Sequence, residues 1–303
     1  MDLADNIRRY FFDNFDSLPP GRAFHFASRL AAWEGSDEAI EKLRGLKSFM
    51  LPGPPEELLA ELLQSRLDEV YAASRRRKYF EEYPLLHGVN SALFRIRHLK
   101  EVYGVDLREE LLKKIDYDVM VSMADRLIAR PEALMNLSSF AVNYLYLLEK
   151  LYDAPAGLSP ELFLKLYDSY DLQDPQQLNL LIYMFTHCII AESNYYIEEI
   201  PTERLGSYQK MIALMHELME RPGIKLDARL EYLVASRICH LESPLQTPTE
   251  MEMTGLLGSD GYIIDKQSQQ QNSRINSLAV SEHRNVLFIM STSAYRPHKI
   301  LLN

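Results

Sequence analysis

The sequence is poor in the residues that usually announce a chemistry. Its 303 residues contain two cysteines, Cys188 and Cys239, too few for a disulfide framework. Both lie in apolar, helix-like patterns, where a reduced thiol behaves as a small hydrophobe, so a reducing, cytoplasmic setting is expected. No phosphate loop, dinucleotide glycine fingerprint, nucleophile elbow or paired zinc knuckle is present, and no cofactor is expected. Positive charge is also scarce. With 33 Lys and Arg against 43 Asp and Glu, the formal charge of −10 denies a nucleic acid the concentrated positive field it needs. The one basic run, Arg75 to Lys78, is offset by Asp68, Glu69, Glu81 and Glu82 on the same expected helix. Long apolar runs are missing too: Leu178 to Ala191 is interrupted by Asn179, Thr186 and His187 and falls short of the ~20 residues that span a bilayer. The first residues are acidic and lack an apolar core, so neither a secretory leader nor a membrane partner is expected.

What the chain does have is helical periodicity, from Met1 to about Leu257, with little strand-like alternation. The spacing predicts helices over Leu3 to Phe15, Arg22 to Trp33, Asp37 to Met50, Pro55 to Glu82, Pro84 to Tyr103 and Arg108 to Arg130. Further helices are expected over Ala133 to Tyr152, Pro160 to Tyr170, Pro175 to Ile200, Thr202 to Glu220, Asp227 to Glu242, Thr249 to Leu257 and Glu282 to Ser291. Ser159 and Asp174 each precede a proline and read as N-caps. Short connectors between long helices favour antiparallel hairpins. The expected fold is therefore all-α: a single domain of residues 1–303 whose antiparallel helical hairpins form an α/α solenoid or incomplete α/α toroid. The Gly-, Ser- and Gln-rich stretch 258–277 reads as a mobile loop. His25, His87, Asn143, His187, His240 and His283 recur at intervals of about fifty residues, one per hairpin in such a fold.

The segment from Gln177 to Glu198 is the most informative. It is apolar around most of its circumference, yet Asn179, Tyr183, Thr186, His187, Asn194 and Glu198 fall within a sector of about 120°. Such a stripe lines a hydrated cavity, joins a buried polar network, or marks a solvent edge. The two cysteines sit directly beside His187 and His240. Helical neighbours diverge by about 100°, so each pair offers one ligand to a common point, too few to hold zinc. No metal is expected; buried structural groups, or a histidine acid–base site, remain. The motif "EHRN", Glu282 to Asn285, opens the last helix beside the expected loop and is a further candidate.

Two functions follow. The first is a binding scaffold whose concave surface takes a peptide or protein, with the 18 tyrosines as anchors. The alternative is a hydrolase or lyase holding a small-molecule ligand in a central cleft. There His187 and His240 would move protons and Glu192 would orient an imidazole, while Arg29 or Arg229 would hold an anionic group. His87, Asn143, Tyr183, Asn194 and His283 complete the expected substrate-binding set.

Overall fold

The structure is a computed structural model that describes residues 3–64, 76–154, 158–258 and 277–302. Among the described residues it is all-helical, with 17 α-helices and no strand. The first six helices are α1 (Leu3–Asp13), α2 (Pro20–Glu34), α3 (Asp37–Gly45), α4 (Lys47–Met50), α5 (Pro55–Gln64) and α6 (Arg77–Glu82). Next come α7 (Leu86–Tyr103), α8 (Arg108–Leu112), α9 (Tyr117–Ile128), α10 (Pro131–Leu137), α11 (Ser139–Tyr152) and α12 (Pro160–Leu164). The rest are α13 (Pro175–Glu192), α14 (Thr202–His216), α15 (Leu226–Ile238), α16 (Gln246–Gly255) and α17 (Ser277–Thr292). No described helix is long and apolar enough to cross a membrane.

Local chemistry explains the boundaries. The side chains of Ser159 and Asp174 accept the N–H groups of Glu161 and Gln176, and the prolines that follow occupy positions where no N–H is needed. Several expected helices are divided. Arg108 to Arg130 forms α8 and α9, because Asp116 caps a new helix through the N–H of Asp118. Ala133 to Tyr152 is divided at Ser138, whose φ is 49°. Asp37 to Met50 is divided at Leu46 into α3 and α4. Pro175 to Ile200 stops at Glu192, because Asn194, Tyr195 and Tyr196 take left-handed φ values of 47°, 53° and 79°. Of the expected helix Pro55 to Glu82, residues 65–75 lie outside the described residues, as do residues 259–276 of the expected loop.

Six helices order the interior. They touch in the sequence α7, α11, α13, α15, α17, α2. Phe24 of α2 then meets His98 of α7 edge to face at 5.1 Å. The remaining helices back these: α5 packs on α7, α3 on α2, α9 on α11, and α14 on both α13 and α15. This packing is compatible with a succession of helical hairpins. Helix α13 is buried around nearly its whole circumference; each Leu, Ile or Phe removed from water there contributes about 1.5–3 kcal/mol.

Beyond α17 the chain runs back across the ends of the earliest helices. The N–H groups of Arg296 and His298 reach the carbonyls of Trp33 and Ala32 at 2.9 and 2.8 Å, and Leu302 N–H reaches Val102 at 2.7 Å. These bonds satisfy carbonyls that the C-terminal turns of α2 and α7 leave open.

Candidate functional site

Four of the six helices, α2, α7, α13 and α15, line a cavity of about 310 Å³, at the small end of the range for ligand pockets. Helix α2 supplies His25 and Arg29, four residues apart and therefore on one face. Helix α7 supplies Phe94, Arg97 and His98, α13 supplies His187 and Ile190, and α15 supplies Glu231. Tyr195 and Tyr196 close one side from the left-handed turn, and Ile300 of the returning tail also lines the wall.

The partners of each imidazole fix its tautomer. Carboxylate and carbonyl oxygens only accept hydrogen bonds, whereas a guanidinium only donates. His25 Nδ1 lies 2.7 Å from Glu282 Oε1, so Nδ1 carries the proton and Nε2 keeps its lone pair. His98 Nδ1 likewise donates to the Phe94 carbonyl at 2.8 Å, and His187 Nδ1 to Asn143 Oδ1 at 3.1 Å. Asn143 Oδ1 also accepts from the Tyr195 hydroxyl at 3.2 Å. His283 is the reverse case: Arg29 donates to its Nδ1 at 3.2 Å, which leaves the proton on Nε2.

Burial dominates the electrostatics. It lowers His25 to about 4, with the Arg29 charge adding to it and Glu282 only partly opposing. Burial holds His98 well below the usual imidazole value, aided by Arg97, and lowers His187 despite the opposing charge of Glu231. For Glu231, burial alone would raise the carboxyl, but His283, His187 and the Thr186 hydroxyl at 2.7 Å together bring it below its ordinary value. The Thr186 hydroxyl is the direct donor to Glu231, and the His283 and His187 imidazoles act on it through space. Glu231 stands 3.6 Å from His283 Nε2 and 3.9 Å from His187 Nε2, beyond direct hydrogen bonding. Glu282, with no exposed side-chain surface, is lowered likewise: burial opposes its ionisation, but His25 and Arg29 outweigh it.

Two guanidiniums face this wall, and among the described residues neither has a carboxylate within ion-pair distance. Arg29 lies 5.8 Å from the centroid of the Tyr196 ring, and Arg97 lies 5.1 Å from that of Tyr195. Arg97 donates from Nε to Asn194 Oδ1 at 3.2 Å and from a terminal nitrogen to the Asn194 carbonyl. The left-handed turn thus places Asn194 against one arginine and both tyrosines along the cavity.

Of the residues singled out from the sequence, His187, Arg29, Asn143, Asn194 and His283 join this network. His240 does not. It follows α15 with φ 57°, is exposed, and pairs with Glu199 at 3.0 Å, so the structure does not bring it to the cavity with His187. Glu192 orients no imidazole: it accepts from the Tyr208 hydroxyl at 2.5 Å and pairs with Arg204 at 3.0 Å, and Tyr208 in turn meets the Tyr146 hydroxyl at 2.8 Å. Arg229 pairs with Glu252 on α16. His87 packs near Phe80 and Phe140, and Tyr183 is half-buried on α13, away from the lining. Burial raises Cys188 well above an ordinary thiol and Cys239 to about 12, which disfavours the thiolate a nucleophile needs. No group of three or more His, Cys, Asp or Glu among the described residues is arranged to hold a metal ion.

Glu231, Arg97 and Tyr196 were not among the expected site residues. Glu231 sits between Leu230 and Tyr232 and belongs to no obvious polar stripe, while Tyr196 reaches the wall only because the helix ends early. Compared with family models, with curated proteins and with solved structures, the chain matches none.

Proposed function

We propose that the central cavity is the active site of a hydrolase or lyase that uses histidine acid–base chemistry on a small molecule. The observation that carries this reading is the His25–Glu282 pair. A carboxylate buried from solvent holds Nδ1–H at 2.7 Å, and the lone pair of Nε2 is left for the cavity. In this arrangement Nε2 takes a proton from substrate or from a water molecule, Glu282 stabilises the imidazolium, and the proton is returned to the leaving group. Burial disfavours a resting imidazolium, so the base stands ready in its neutral form.

A peptide-binding scaffold has less support. The exposed large apolar side chains among the described residues are few, and Tyr117 is the one aromatic among them. Polar groups converge instead on an interior cavity, as an α/α toroid with an inner set of helices would arrange them. Two free, buried cysteines fit the reducing, cytoplasmic setting we propose.

The test is turnover. Pools of small esters, amides and hydroxy acids are incubated with the protein and followed by NMR. The expected result is consumption of one compound class, slowed about 10²- to 10⁴-fold in His25→Gln. A His25→Gln variant as fast as the parent would sink the assignment.

A further inference from the structure

Two side chains on the cavity wall keep donors without an acceptor among the described residues. Arg97 is 4% exposed, and its bonds to Asn194 occupy only part of a guanidinium that carries five N–H donors. Burial lowers it to about 10, which leaves it cationic at neutral pH. Tyr196 is 3% exposed, and among the described residues its hydroxyl has no hydrogen-bond partner. Burial raises this phenol, so it keeps its proton and remains a donor. Among the described residues, a buried cation with no carboxylate in ion-pair distance and a buried hydroxyl without an acceptor are both costly, and one incoming anion relieves both.

We infer that the cavity binds a monocarboxylic acid, whose carboxylate rests on the Arg97 guanidinium and the Tyr196 hydroxyl. This rests on reading the cavity as a substrate site and names the class of substrate. The charge balance disfavours two negative charges more than one. Arg29, Arg97 and, behind the wall, Arg22 at 3.6 Å from Glu282 are matched in number by Glu101, Glu231 and Glu282, so a phosphate dianion brings two uncompensated charges where a carboxylate brings one. The apolar part of the lining, including Phe94, Ile197 and Ile300, suits a hydrocarbon body. A planar guanidinium matches a carboxylate in two-point contact, and a tyrosine hydroxyl adds a third.

The probes are hexanoate, hexanamide and inorganic phosphate, titrated into the full chain by calorimetry. Trp33 is the protein's single tryptophan and lies 6.0 Å from the Tyr196 ring, so its fluorescence gives a second readout. Hexanoate is expected to bind saturably at millimolar concentration or below, with hexanamide and phosphate about tenfold weaker or worse. Arg97→Gln should weaken hexanoate by about tenfold or more, and Tyr196→Phe by about three- to tenfold. Tyr196→Phe removes a hydroxyl that bonds to nothing, so it serves if Arg97→Gln fails to fold. No hexanoate binding, equal binding of hexanamide, tighter binding of phosphate, or unchanged affinity in a folded variant at either position would overturn the inference. His25→Gln separates the two readings. It is expected to keep hexanoate binding while losing turnover; binding with no His25-dependent turnover would leave the subsite standing and remove the proposed reaction.

Discussion

Helix α13 carries two buried polar regions, and they are finished differently. At its C-terminal end Glu192, Arg204, Tyr208 and Tyr146 form a chain in which each hydroxyl meets a partner and the carboxylate is paired. One and a half turns earlier, His187 faces a cavity where, among the described residues, the Tyr196 hydroxyl is unmatched and Arg97 has no carboxylate within ion-pair distance. The residue types are similar, and both regions lie in the core. A network that closes on itself stabilises the fold, whereas one that leaves a donor unmatched is what the proposed ligand would complete. Composition does not distinguish them; completeness does.

Acidification should separate the two regions most. Between about 6.5, the ordinary imidazole value, and about 4, the value of His25, the unfolded chain binds protons that the folded cavity excludes. His98 and His187 act in the same direction. Stability therefore rises with pH across this window and is lost as pH falls through it, with Glu231 and Glu282 adding to the loss at the acidic end. A melting temperature that stays flat from neutral pH to pH 4 would contradict the electrostatic account.

Glu192→Ala attacks the closed cluster directly. It strands Arg204 and the Tyr208 hydroxyl, and denaturant unfolding should record a loss of about 3 kcal/mol, the low end for a broken buried pair because the Arg204 side chain is 26% exposed. Tyr208→Phe removes the link between Tyr146 and Glu192 and should cost about 1–3 kcal/mol by the same measurement. Tyr196→Phe is the counterpart in the cavity. No bond is lost, so stability should change by less than about 0.5 kcal/mol, even though the residue is as deeply buried. Equal losses for the two tyrosine variants would erase the distinction.

Much of this was legible in the sequence, and the limits have physical causes. Periodicity and proline punctuation locate the long helices because burial on one face repeats with the helical turn. They miss the breaks at Ser138 and after Glu192, where non-glycine residues take left-handed conformations that tertiary packing sustains against local preference. His187 is visible because its neighbours are apolar. Glu282 is hinted at by its place in "EHRN", but its partner His25 lies 257 positions away, a distance no local pattern spans. His240 misled for the complementary reason: its spacing continues the α15 pattern, but the helix ends at Ile238 and the ring turns to solvent.

The pairing of His25 with Glu282, together with the return of residues 296–302 across α2 and α7, bears on the order in which the protein is made. The first helices leave the ribosome long before the last, and until then α2 lacks the segments that cover it: α17 and the strand of chain that bonds the Ala32 and Trp33 carbonyls. Helices α7 to α15 can pair with their neighbours as they emerge, since their contacts are nearer in sequence. The cavity is therefore the last region to acquire its final form, and His25 is without its Glu282 partner until α17 has been made.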